Sequence, residues 1–109
     1  MSINLFSPIL LVQALLKKKK INRYGSIVIM SSISAYYPSI SNGLYAASKG
    51  ALNSFSKVLG LELLPLKGRV NCIQPAFVET DMLKKYTLQE EIEKIKQNYP
   101  LGRFARPEE

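Results

Sequence analysis

Two short apolar runs limit what this chain can fold into. Ile27–Met30, "IVIM", has no polar alternation and is rich in β-branched residues. That pattern suits a strand covered on both faces, as in a parallel sheet. Arg69–Gln74, "RVNCIQ", is a second such run and is closed by Pro75. Parallel strands need a crossover of a dozen or more residues, usually a helix. The intervening chain provides one. After the Ser-, Pro-, Asn- and Gly-rich loop "SSISAYYPSISNG", residues 44–64 carry Ala47, Ala51, Leu52, Phe55, Val58, Leu59 and Leu63 at helical spacing. Pro65 and Gly68 are expected to end that helix.

The flanks extend the alternation. Residues 3–20 read as a helix whose first half is apolar on more than one face, as a buried helix is. Its apolar stretch, Ile3–Leu16, is 14 residues long, shorter than the ~20 needed to span a bilayer. Asn4, Ser7, Pro8 and Gln13 interrupt it, and its positive charge follows the apolar run, the reverse of a secretory signal. No membrane partner is expected. Beyond Pro75, "AFVETDM" reads as a loop leading to helical pieces at about 80–85 and 88–98. The final "RPEE" resembles a helix start, with Pro near the first position and acids in the first turn. Helix, strand, helix, strand, helix is the order of an open, doubly wound α/β sheet. Two strands leave such a sheet with poorly covered edges. Residues 1–109 therefore read as a single partial domain, the middle-to-late part of a larger one.

Composition removes several function classes. One cysteine, Cys72, and no histidine exclude an intrachain disulfide and argue against a zinc site. Cys72 lies in an apolar strand, where a buried, inert thiol is expected. A cytoplasmic protein is the simplest fit. The net charge is +7, gathered partly in Lys17–Lys20. Such a run can attract nucleic acid or an anionic surface, or it can be the solvated end of a helix. No aromatic-basic interleaving accompanies it, which favours the helix end and no nucleic-acid partner.

Within "LYAASKGA", Tyr45 and Lys49 stand one helical turn apart. With 6 Tyr and 11 Lys in the chain, roughly 0.6 such spacings arise by chance, so the pair needs context. The context is an ordered set: "INL" with Asn4, "IVIMSS" ending at Ser32, "YAASK", "VNCIQPAFVETDM" and "PLGRFARPEE". Together these resemble the short-chain dehydrogenase/reductase family, and within it the 3-oxoacyl-(acyl-carrier-protein) reductases. The spacings agree: 28 residues from Asn4 to Ser32, 13 from Ser32 to Tyr45 and 30 from Tyr45 to Pro75. The resemblance covers essentially the whole chain. It implies a partial Rossmann-like fold, three-layer α/β/α in the complete protein.

It also implies a catalytic set of Asn4, Ser32, Tyr45 and Lys49. Reducing a carbonyl requires a proton for the developing alkoxide. A phenol, with an unperturbed pKa of about 10, is a poor acid-base group at neutral pH, and a nearby ammonium favours the phenolate. Residues at i and i+4 lie on one helix face, about 6 Å apart along the axis. By resemblance, Tyr45 is the general acid-base, and Lys49 assists it and binds the nicotinamide ribose. Ser32 follows a strand's carboxyl end, where open α/β sheets place ligands. It is either the donor to the substrate carbonyl or a loop cap. Asn4 precedes Pro8 by four residues, so its carbonyl loses its α-helical donor. By resemblance that carbonyl holds a relay water. Alternatively Pro8 marks the helix start and Asn4 merely precedes it.

Tyr45, Lys49, Pro75, Ala76, Val78 and Thr80 are the implied cofactor contacts, and Ser32 and Tyr45 the substrate contacts. No metal is implied. Pro75–Ala76 departs from the family's Pro–Gly. The glycine-rich "T-G-x-x-x-G-x-G" turn does not occur in this chain. The implied cofactor is NADP or NAD, with NADPH favoured, and the implied substrate is a carbonyl compound, most closely an acyl thioester. By the same resemblance, helices 3–20 and 44–64 match those that pair across subunits in the family, which implies a homo-oligomer. The rival expectation is an inactive chain that acts only by associating with intact subunits.

Overall fold

The structure, a computed structural model, describes the backbone of all 109 residues and the side chains of all but Lys84 and Tyr86. The chain divides into two compact units, Met1–Gln74 and Pro75–Glu109.

In the first unit a π-helical turn, Ser2–Phe6, runs into α1, Ser7–Lys17. Strand β1 spans Ser26–Met30, α2 spans Gly43–Glu62 and β2 spans Arg69–Ile73. Short 3-10 turns at Ile33–Ala35 and Leu64–Leu66 flank α2. The two strands pair in parallel, from Ser26 opposite Arg69 to Met30 opposite Ile73. This register sets Ile27 beside Val70 and Ile29 beside Cys72 on one face. That face packs under the helices. Leu5 and Val12 from the first helix, Ile29 from β1, and Leu52, Leu59 and Leu63 from the α2 region form one buried core.

The other face is open. Val28 and Met30 are more than half exposed, so the run read as covered on both sides is covered on one. The physical reason is that both long helices contribute to the same core. The first helix is likewise only half buried: Leu5 and Val12 are inside, while Ile3, Phe6, Leu10 and Leu11 are exposed. It ends at Lys17 rather than Lys20, and Lys17–Lys20 are exposed. Cys72 is part-buried and donates to Asn53 Oδ1 at 3.2 Å.

Helix α2 ends at Glu62. The left-handed position that follows is Lys67 (φ 52°), one residue before the glycine expected to stop the helix. Gly68 serves close approach instead: a Cβ there would lie 3.1 Å from Leu63 Cβ and 3.3 Å from the Gly25 carbonyl. That proximity lets Arg69 N–H donate to the Gly25 carbonyl and start the sheet. No helix among the described residues is long and apolar enough to cross a membrane.

The second unit holds α3, Asp81–Tyr86, and α4, Gln89–Gln97. Thr80 caps α3, its Oγ1 accepting from Leu83 N–H at 3.4 Å. Val78 and Ala105 form an isolated parallel bridge. Phe104 is buried, stacked on Phe77 at 5.3 Å and edge-on to Tyr99 at 5.2 Å. The final "RPEE" forms a turn rather than a helix. Glu109 Oε2 accepts from Arg106 N–H at 2.6 Å, and its carboxylate pairs bidentately with Arg103, both contacts at 2.7 Å.

Candidate active site

Helix α2 carries Tyr45 in its first turn and Lys49 one turn later. Lys49 Nζ lies 5.6 Å from the centroid of the Tyr45 ring and donates to the Met30 carbonyl at 3.1 Å. Met30 is the last residue of β1, so Lys49 reaches the strand's carboxyl end. The Tyr45 side is semi-accessible, the residue being 38 % exposed. Ser48, buried between them in sequence, turns its hydroxyl back to the Tyr45 carbonyl at 2.7 Å. This i−3 bond satisfies a small polar side chain without a partner from another element.

Ser32 is buried two residues beyond Met30. Its Oγ accepts from Ser34 N–H at 3.2 Å, so it does cap the 3-10 turn. Capping uses only acceptor capacity, and the hydroxyl proton remains available to donate. The cap and the functional role are therefore compatible.

Asn4 sits in the π-helical turn. Pro8 has no N–H for its carbonyl, and the turn is wound wider, with Ser7 N–H donating to the Ser2 carbonyl. Pro8 lies in the first turn of α1, as expected of a proline that marks a helix start, and Asn4 lies in the π-helical turn before it. Asn4 and Lys49 line one groove of about 780 Å³ along β1, together with Pro8, Met30 and Leu52. Pro75, Ala76, Val78 and Thr80 belong to the second unit. There Val78 is held by its bridge to Ala105 and Thr80 by its cap. No group of residues suited to a metal ion occurs among the described residues.

Sequence reasoning missed the residue before Ser32. Ser31 is 4 % exposed and donates its hydroxyl to the Lys49 carbonyl at 2.9 Å. The signal available was the serine doublet, of which the motif singles out only the second.

Residues 1–109 match the family described as Enoyl-(Acyl carrier protein) reductase. The chain belongs to the short-chain dehydrogenase/reductase family. It is 38 % identical to human dehydrogenase/reductase SDR family member 2, mitochondrial, covering 100 % of this chain and 39 % of that protein. It is 39 % identical to the 3-oxoacyl-[acyl-carrier-protein] reductase of Aquifex aeolicus, covering 100 % of this chain and 44 % of that one. A short-chain dehydrogenase/reductase (glucose/ribitol dehydrogenase) from Brucella melitensis superposes with a TM-score of 0.87 at 34 % identity, over 97 % of this chain and 42 % of that structure. The chain thus spans less than half the length of these relatives.

Proposed function

We propose that the protein is an NAD(P)-dependent oxidoreductase acting on a carbonyl compound or the corresponding secondary alcohol, with a 3-oxoacyl thioester the favoured substrate. The observation that carries this reading is the Tyr45–Lys49 pair, ring to ammonium 5.6 Å, with Lys49 bound at the strand end that leads to Ser32.

The donor chemistry fits a nicotinamide ribose. An ammonium has three N–H donors, and Lys49 gives one to Met30, leaving two for a diol. When bound, the dinucleotide supplies or accepts the hydride. Lys49 holds the ribose hydroxyls, its ammonium standing 5.6 Å from the centre of the Tyr45 ring. Tyr45 Oη gives its proton to the carbonyl oxygen during reduction and takes one back during oxidation. Ser32 Oγ donates to the same oxygen and stabilises its developing charge. The Asn4 carbonyl holds the water that reprotonates Tyr45. By the family resemblance, Val78 and Thr80 contact the nicotinamide carboxamide, and Pro75 and Ala76 are further cofactor contacts. NADPH is the favoured cofactor, from the resemblance to acyl-carrier-protein reductases.

The test is titration of the protein expressed from its full reading frame with NADPH and NADH, followed by turnover with a 3-oxoacyl thioester. Saturable binding weakened by Lys49→Ala, with turnover lost in Tyr45→Phe, supports the reading. Turnover that survives Tyr45→Phe would refute it.

A second reading, a subunit that acts only by association, is favoured by the apolar residues α1 and α2 leave exposed, among them Leu11 at 61 % and Leu61 at 68 %. Homo-oligomerisation through these helices is compatible with either reading. Absence of cofactor binding in a folded oligomer would select the second.

A further inference from the structure

Lys49 is held at both ends by consecutive residues of one strand terminus. Its ammonium donates to the Met30 carbonyl at 3.1 Å, and its own carbonyl accepts from the Ser31 hydroxyl at 2.9 Å. Ser31 is itself fixed, its N–H donating to the Ile73 carbonyl at 2.8 Å at the end of β2. Three elements, β1, β2 and the second turn of α2, therefore meet at one buried hydroxyl-bearing residue. A helical carbonyl is ordinarily committed to the amide four residues on. The Ser31 hydroxyl is then a second donor to Lys49, using the other lone pair. Satisfying that carbonyl does not require it. Its effect is to set where the α2 turn stands relative to the strand end.

We propose that Ser31 is a positioning residue for the Lys49–Tyr45 pair. It fixes the backbone of Lys49 against β1 so that the Lys49 ammonium keeps its place between the Met30 carbonyl and the Tyr45 ring. This rests on the oxidoreductase reading above. Without the Ser31 hydroxyl, Lys49 keeps its ammonium contact but loses the backbone anchor, and the turn carrying both Tyr45 and Lys49 is free to shift. Misplacement of reacting groups by about 1 Å costs up to a hundredfold in rate.

The experiment compares Ser31→Ala, Ser31→Thr and Lys49→Ala in the protein from its full reading frame, reading kcat, KM and melting temperature for carbonyl reduction. Expected is a fall in kcat of about ten- to a hundredfold in Ser31→Ala, a smaller change in KM, and recovery in Ser31→Thr, which keeps the donor. An unchanged kcat in Ser31→Ala, or a loss that Ser31→Thr does not recover, would overturn the proposal. Lys49→Ala separates the two readings. If it retains full turnover, the oxidoreductase assignment of the pair fails. If it is inactive while Ser31→Ala is not, only the positioning role fails. Should Ser31→Ala not fold, Ser31→Val, close in shape to Ser31→Thr but without the hydroxyl donor, takes its place, and its kcat is judged by the same criterion.

Discussion

The Lys49 ammonium stands 5.6 Å from the centre of the Tyr45 ring while bound to the Met30 carbonyl at 3.1 Å. The two residues have separable roles that substitutions can distinguish. Tyr45→Phe keeps the ring but removes the proton. It is expected to lower kcat by about 10²–10⁴ with little effect on nicotinamide binding. Lys49→Ala removes both the ribose donors and the charge, so cofactor affinity and kcat fall together. Stopped-flow turnover alongside fluorescence titration of the cofactor checks this. Equal losses of affinity in both variants would contradict the division of roles.

Pro8 links a sequence oddity to a geometric one. It deprives the Asn4 carbonyl of an α-helical donor, and the chain there takes a π-helical turn. Pro8→Ala restores an N–H at that place. The variant is expected to keep its stability within about 1 kcal/mol, since Pro in a first helical turn costs little. Turnover should fall severalfold if the Asn4 carbonyl holds the relay water. A Pro8→Ala enzyme with unchanged turnover would remove the carbonyl from the proposed relay.

Leu59 is fully buried, packed with Leu52, Leu63 and Ile29 where α2 crosses the sheet. Leu59→Ala removes three carbons from that core and is expected to cost about 2–5 kcal/mol. Chemical denaturation of the purified protein measures the loss. A cost below about 1 kcal/mol would mean this face of α2 does not carry the packing ascribed to it.

The sequence was most readable where burial acts on a period. The apolar spacing from Ala47 to Leu63 marked α2 to within two residues at its end, and the β-branched run Ile27–Met30 marked β1 to within one at its start. It misled where the pattern reports the residues but not their cover. Val28 and Met30 are apolar, yet both are more than half exposed. Features set by hydrogen bonds between distant residues left no trace in the pattern. The bridge from Val78 to Ala105 and the clasp of Ser31 on Lys49 are of this kind. The motif locates Ser32, Tyr45 and Lys49 but is silent on what holds Lys49 in place. Likewise Gly68 looks like the residue that stops α2, because glycine favours positive φ. Lys67 takes that conformation, and Gly68 is needed for space.

Cys72 reaches from β2 into the α2 interface, its thiol donating to Asn53 Oδ1 at 3.2 Å. Asn53 is buried, so deleting the donor strands an acceptor. Cys72→Ala is expected to destabilise by about 1–3 kcal/mol, whereas Cys72→Ser, which retains a donor, should cost less. Thermal or urea unfolding of the two variants checks the order. If Cys72→Ser is the worse variant, apolar packing rather than the hydrogen bond governs the site.

Glu109 carries the one strongly displaced carboxyl in the second unit among the described residues. Its hydrogen bonds from the Arg103 side chain and the Arg106 N–H, with their charges, hold it down at about 2. The folded value is below the ordinary carboxylate value of about 4.3, so the turn's contribution to stability is complete above that value. It is lost as pH falls from there toward 2, because the protonated carboxyl no longer accepts both Arg103 contacts. A carboxyl-detected NMR titration should place the Glu109 midpoint near 2, and Arg103→Leu should move it up toward the ordinary value. A midpoint already near the ordinary value in the unsubstituted protein would mean that the bidentate pair with Arg103 does not persist in solution.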